Sequence, residues 1–502
     1  MTQLDKHTSP LQHYILGCLI ILVANKLGFD ASGGEDQYLS FARQYVNPEW
    51  IPNSYSITEF AGSRIVFQWI VGPIMEVVSF DWAVFSFRLI NFSFYALVVG
   101  TLFQTLRLNL LLSLCFFHLF VMSEQNLIGG EWIFKTFEPK SVAYIFVFAA
   151  LRAFHLSKYT WVCIFLVFSC YFHVLVGGWT LMVLGAVMLL NGQWKEIIKP
   201  GIIFALLLLP FALYLIPGYF LIEVPESDPT VNWIYAYYRL PNHLGIWRDT
   251  EYFLNGNARD SVITFILLIL TFFWGHLIPK GWKWMNQTVQ VIFSVNLIFV
   301  GIAAMDHFFF NNSGGFGIKY YPFRTNSIGM FLVMLIGFQL AYNWLAKKAW
   351  KKKLYAGVVT LVFALLVAQT VNNFQRSERY FSEAPDYKAM VKYVRENTPK
   401  TAVFYLREPY FGWPIYYSFN RRAERENFYV PKFIFAQADK TLSWYERLKH
   451  YQRARYKISR VVGLQEKYGV THMMSTTEWE EPFLEQVHQT GAYRLYKIVP
   501  VD

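Results

Sequence analysis

The stretch GGEDQYLSF (33–41) follows directly on the first apolar segment of the chain and sets Glu35 and Asp36 side by side where that segment ends. Gly33 and Gly34 allow a tight turn, and DQYLSFARQY then reads as a helix with Tyr38, Phe41, Ala42 and Tyr45 on one stripe. The apolar residues before it, 13–29, are long enough to approach the thickness of a hydrocarbon layer. The stretch therefore reads as a helix opening a long loop just outside lipid. Two accounts of its acids stand together: they cap a helix N-terminus, where free N–H groups welcome negative charge, and one of them, held at the lipid boundary, serves as a general base.

Outward from this point the apolar pattern recurs. Of the 502 residues 55% are hydrophobic in type and 19% aromatic, with a positive mean hydropathy, which excludes an ordinary soluble domain of this length. Eleven spans are predicted, near 13–29, 82–104, 108–123, 142–155, 159–174, 178–191, 200–220, 261–278, 287–305, 324–344 and 355–371. The fold class expected is thus an α-helical polytopic membrane protein over 1–371, with a small C-terminal α/β domain over 372–502, where the composition turns charged and aromatic.

Short basic loops set the orientation. With the N-terminus inside, Arg107, Arg152 with Lys158, Lys195 with Lys199, Lys280 with Lys283, and the run KKAWKKK (347–353) all fall on the cytoplasmic side. The longer loops 30–81, 124–141, 221–260 and 306–323, and the C-terminal domain, then fall outside. The N-terminus lacks a basic segment followed by a small-residue cleavage site, so the first span is expected to stay as an anchor. Cys18, Cys115, Cys163 and Cys170 all lie in predicted spans, which leaves the outer domain without a disulfide. The net charge of +11, shared between inner loops and outer domain, suits anionic lipid or phosphate better than nucleic acid.

The remaining polar residues gather in the outer loops. SRIVFQWIVGPIMEVV (63–78), broken by Gly72-Pro73, reads as a helix lying along the interface. NLIGGEWIFKTFEPKS (126–141) repeats the glycine pair followed by an acid, and Glu131, Lys135, Glu138 and Lys140 recur near helical spacing, as in an amphipathic interfacial helix or a headgroup site. WIYAYYRLPNHLGIW (233–247) and the residue after it hold Arg239, His243 and Arg248. Lys319 and Arg324 stand where the fourth loop re-enters the membrane, where a cation either snorkels to the interface or holds a phosphate. His173 is ionisable at membrane depth. The C-terminal domain alternates helical YKAMVKYVRENTP, strand-like TAVFYL, helical LSWYERLKHYQRARY, strand-like VTHMMS and a final AYRLYKIV. It contains no Gly-rich phosphate loop, no HExxH and no Cys/His metal spacing, and reads as a substrate-shaping or docking module.

The arrangement resembles the GT-C class of integral-membrane glycosyltransferases. The resemblance is architectural over 1–371, with local support in GGEDQYLSF, GGEWIFKTFEPK, RLPNHLG and YYPFRTNS, and VKYVRENTPKTAVFYL with LSWYERL is similar to a group of bacterial GT-C-like membrane proteins. It implies a sugar transfer, with inversion, from a polyprenyl-phosphate donor to a lipid, glycan or protein acceptor at the outer face of the cytoplasmic membrane. It places on Asp36 the role of catalytic base or of positioning the acceptor, with Glu35 as substitute. Loop placement sets Lys140, His243 and Arg324 to balance the charge on the departing phosphate, Glu131 and Glu138 to bind sugar hydroxyls or orient the acceptor, and Lys319 to bind substrate. Expected partners are membrane lipids, the lipid-linked sugar and a protein contact through 372–502, with no nucleic acid. The metal-binding branch of the class carries a WWD-type motif that this chain lacks, so no metal or other cofactor is expected. Two rival readings stay open: a transporter or flippase for a lipid-linked or polar solute, and a non-catalytic scaffold of the same shape.

Overall fold

The computed structural model describes residues 9–57, 62–219, 223–345, 351–382, 385–407, 417–433 and 437–500. Part of the basic run at 347–353, and part of the aromatic stretch after TAVFYL, lie outside the described residues. Among the described residues 72% are helical, with a small sheet near the C-terminus. Its contacts divide it into two compact units.

The first unit comprises 1–28, 85–217 and 227–375. Each of the eleven expected apolar segments falls on a helix, but only six helices among the described residues are long and apolar enough to cross a membrane: Phe80–Thr105, Trp194–Tyr219, Thr250–His276, Lys280–Phe310, Ile318–Leu345 and Ala356–Arg376. Leu11–Lys26, Leu110–Met122, Tyr159–Phe172 and Val174–Leu190 are apolar but shorter. At 1.5 Å per residue a helix of 13 residues covers about 20 Å, well below the roughly 30 Å of hydrocarbon. The expectation of eleven full spans is therefore not carried by the helix lengths.

The core of this unit is aromatic. Phe331 meets Phe116 at 5.0 Å, Phe120 at 5.2 Å and Phe148 at 4.9 Å between ring centroids, and Phe134 brings the loop before Pro139–His155 into the same cluster, 5.0 Å from Phe117. Edge-to-face pairs of this kind add attraction beyond area burial. By contrast Trp194–Tyr219 and Ala356–Arg376 bury only 6% of their apolar windows. Long apolar helices that the rest of the protein covers so little match a lipid environment.

The second unit comprises 29–84, 218–226 and 376–502, so the first long loop packs with the C-terminal residues. Helix α1 (Gly33–Val46) lies against α2 (Ile65–Val77). Gly72 makes that approach feasible: a Cβ there would stand 2.5 Å from the Ala42 carbonyl oxygen. The Gly72-Pro73 pair expected to break this segment instead sits inside one continuous helix. The sheet has the order β2-β1-β3-β5-β4, built from β1 (Val403–Leu406), β2 (Glu426–Asn427), β3 (Val470–Ser475), β4 (Leu484–Thr490) and β5 (Tyr493–Ile498). β1 pairs in parallel with β2 and β3, and β5 runs antiparallel between β3 and β4. The helices Pro385–Asn397, Ala438–Tyr456 and Val461–Tyr468 complete an α/β arrangement.

Candidate functional site

In the first unit the loop after Leu110–Met122 reaches Pro139 without forming a helix. The helical face expected for Glu131, Lys135, Glu138 and Lys140 therefore does not exist. Lys135 is exposed, and the other three converge through the fold of the loop. Gln125 substitutes for missing secondary structure: its Oε1 accepts from the N–H of Ile133 at 2.9 Å and of Phe134 at 2.8 Å, and its Nε2 donates to the Phe134 carbonyl at 3.0 Å. Gly129 and Gly130 have φ of +84° and +57°, and a Cβ on Gly129 would lie 2.7 Å from the Phe323 Cβ. Only glycine meets both conditions cheaply.

That turn delivers Glu131 to a buried group of cations. Its Oε1 lies 2.5 Å from Arg324 Nη1 and 3.6 Å from His243 Nδ1, and its Oε2 lies 3.2 Å from Lys140 Nζ. Lys140, one residue into the helix Pro139–His155, also stands 4.0 Å from Glu138 and 3.9 Å from the Trp132 ring. Glu138 is the residue before that helix, fixed by an N–H bond to Ser141 Oγ at 3.0 Å and by the Thr136 hydroxyl at 3.3 Å. Arg324 lies over the Tyr321 ring at 4.5 Å, and the Tyr144 hydroxyl donates to its carbonyl at 2.9 Å. Burial alone would raise the Glu131 carboxyl, but Arg324, Lys140 and His243 together carry it well below the usual carboxylate range.

Burial lowers the His243 pKa against the pull of Glu131, and so favours the neutral ring. Its Nδ1 lies 2.8 Å from the Gly129 carbonyl oxygen, which only accepts, so Nδ1 carries the proton and Nε2 the lone pair. With His243 neutral, Glu131 and Glu138 balance Lys140 and Arg324. An entering anion must therefore compete with Glu131 for the two cations.

Five of the sequence-predicted binding residues thus come together: Glu131, Glu138, Lys140, His243 and Arg324. Lys319 does not join them directly. It donates to Asn232 Oδ1 at 3.0 Å and lies against Phe316 and Tyr320 at 4.8 and 5.2 Å. Arg248 pairs instead with its neighbour Asp249 at 3.1 Å, half exposed, and His173 stands at the break between Tyr159–Phe172 and Val174–Leu190.

The acid pair lies in the second unit. Glu35 takes the capping role: its N–H donates to Ser32 Oγ at 3.2 Å, and the Ser32 N–H donates to Glu35 Oε2 at 2.9 Å. Asp36 points elsewhere and accepts at Oδ1 from Arg421 Nε, both side chains being buried. The Arg421 guanidinium also lies 4.2 Å from the Phe80 ring. Burial pushes the Asp36 carboxyl up, opposed by the charges of Arg421 and Arg422. A second buried acid, Glu426, accepts from the Ser54 hydroxyl and from the N–H and hydroxyl of Ser56, both at 3.0 Å, and burial raises it too.

Arg421 and Glu426 escaped the sequence reading, although NRRAEREN (420–427) holds five charged residues in eight. Such density inside an otherwise aromatic stretch was the available signal. Among the described residues no three His, Cys, Asp or Glu side chains form a metal-ligand group. No protein-family model matches the chain, and no curated protein matches it.

Proposed function

We propose that the chain is a GT-C-type membrane glycosyltransferase. It moves a sugar from a polyprenyl-phosphate donor to a hydroxyl or amine on a lipid, glycan or protein, at the outer face of a bacterial cytoplasmic membrane. The observation that supports this best is the convergence of Glu131, Lys140, His243 and Arg324 from three separate segments into one buried group. Sugar transfer with departure of a lipid phosphate needs cations where negative charge develops and carboxylates for sugar hydroxyls, in a place poor in water.

In this reading Asp36 takes the acceptor proton as the acceptor oxygen or nitrogen attacks the anomeric carbon. The bond to the phosphate oxygen breaks on the opposite face, its electron pair leaves with the phosphate, and the anomeric configuration inverts. Arg324 and Lys140 turn from Glu131 toward the departing phosphate, and Lys319 adds positive charge at the loop. Glu131 and Glu138 accept from sugar hydroxyls. Long apolar helices with bare faces suit a polyprenyl chain as well as lipid.

The test is transfer by the purified full chain in lipid nanodiscs, with radiolabelled polyprenyl-phosphate sugars and membrane extract as acceptor source. Wild type should transfer label, while Asp36→Asn and Glu131→Gln should each lose at least about a hundredfold, the scale of one general base or one electrostatic contact. Undiminished transfer by both variants would sink the reading. The burial of Glu131 and Arg324, with Lys140 nearly so, favours a second reading, passage of a lipid-linked or polar solute. Movement of a fluorescent lipid-linked sugar across vesicles without any transfer would select it.

A further inference from the structure

The Asp36 carboxylate has an asymmetric environment. Oδ1 accepts from Arg421, while no other hydrogen bond reaches the carboxylate among the described residues. Helix α1 and the turn bearing Arg421 are tightly joined: a Cβ on Gly33 would lie 2.5 Å from the Tyr417 ring, and Gln37 Nε2 donates to the Lys432 carbonyl at 3.2 Å. Asn420, next to Arg421, donates to Ser56 Oγ at 3.0 Å, so two consecutive residues of one turn hold the first long loop at two points, near its start and near its middle. Arg43 adds a looser tie to Glu424 at 3.6 Å.

We infer that Arg421 is the positioning residue of the Asp36 carboxylate, holding Oδ1 so that Oδ2 faces the proton it is to accept, and that the C-terminal segment thereby completes the acid site. This rests on the glycosyltransferase reading for its catalytic meaning. It also revises the role of residues 417–433, which supply a member of the site in addition to shaping or docking. The guanidinium suits this task because its fork is rigid and its charge is fixed, and the Phe80 ring holds its plane. The other ionisable groups facing Asp36 are Arg422 from the same turn, Glu35 from its own helix and Tyr387 from Pro385–Asn397, whose hydroxyl bonds Ser418 at 3.4 Å.

Removing the Arg421 charge leaves burial without its main opponent, so the proton affinity of Asp36 must rise. The experiment compares wild type, Arg421→Gln, Arg421→Lys, Arg43→Gln and Asp36→Asn as full chains in nanodiscs, by two readouts. The first is the pH profile of sugar transfer. Arg421→Gln should lower transfer about tenfold or more at neutral pH and move the acid limb to higher pH, with Arg421→Lys restoring the limb and part of the rate. Arg43→Gln, which loosens the same two segments without touching Asp36, should leave the limb in place. The second readout needs no donor: the protonated-carboxyl infrared band that Asp36→Asn removes should persist to higher pH in Arg421→Gln.

An unmoved limb and an unmoved band in Arg421→Gln, or an equal shift in Arg43→Gln, would overturn the inference. Should Arg421→Gln fail to fold, Arg421→Lys decides on the same readouts: restored oxygen positioning retains the wild-type band and limb, whereas a band displaced as far as burial alone demands counts against it. Full activity of Asp36→Asn would instead refute the base assignment, and the infrared band would still report on Arg421.

Discussion

Glu131 and Glu426 are both glutamates withdrawn from water, yet the protein drives them in opposite directions. Glu131 meets two fixed cations and a histidine, and stays ionised far into acid. Glu426 is held mainly by hydroxyls and one N–H, with Arg447 as a more distant charge, and burial wins. Asp36, with one arginine in contact and a second nearby, falls on the same side as Glu426. Burial sets the cost of a charge, but the number and charge of its partners decide whether the charge survives. A carboxylate that cannot be protonated serves as a fixed electrostatic anchor, and one whose proton affinity is raised suits proton transfer.

The same substitution at each site would break or sharpen this comparison. Glu131→Gln should be the most damaging, at about 3 to 5 kcal/mol, because it removes the carboxylate that neutralises Arg324 and Lys140 in a buried place. Thermal unfolding in detergent measures it, and a loss below about 1 kcal/mol would mean that solvent already screens the group. Gly129→Ala should follow, at roughly 2 to 3 kcal/mol, since it combines a left-handed backbone with a Cβ against Phe323. If alanine there is neutral, the turn that presents Glu131 is not tight. Glu426→Gln should be mildest, about 1 kcal/mol or less near neutrality, since the amide resembles the protonated acid and keeps one acceptor. A loss equal to that of Glu131→Gln would erase the distinction.

Acidity separates the two regions by sign. Glu131 has a folded-state pKa below its unfolded one, so its stabilisation is present above the ordinary glutamate value of about 4.3 and declines as pH falls toward the folded value. Asp36 and Glu426 have raised folded-state values, so their stabilisation is present in acid and lost as pH rises through those values. Lowering the pH from 7 to 5 should thus leave the Glu131 contribution intact while tightening the region around Asp36 and Glu426. Hydrogen exchange of α1 and β2, slower at pH 5 after correction for intrinsic rates, is the expected result, and faster exchange there would contradict it.

Several elements were legible because their causes are local. DQYLSFARQY formed a helix, and TAVFYL, VTHMMS and AYRLYKIV gave β1, β3 and β5. β4, with the sequence LEQVHQT, was missed because an edge strand with mostly exposed residues shows no apolar alternation. The loop after Leu110–Met122 was misread as a helical face because Glu131, Lys135, Glu138 and Lys140 carry spacings near a helical period by coincidence. Gln125, whose side chain organises that loop, bears no pattern that a periodicity could reveal.

By itself the sequence determined the apolar helices, the α/β character of the C-terminal part and the clustering of polar residues between apolar runs. Helix and strand follow from hydrogen bonds and apolar spacing within a few residues, and those are written locally. The tertiary structure decided which acids stay charged, which helices reach the length of a membrane and which residues share a site. Asp36 and Arg421 are 385 residues apart, and a carboxylate's proton affinity depends on partners that only the folded chain brings into contact.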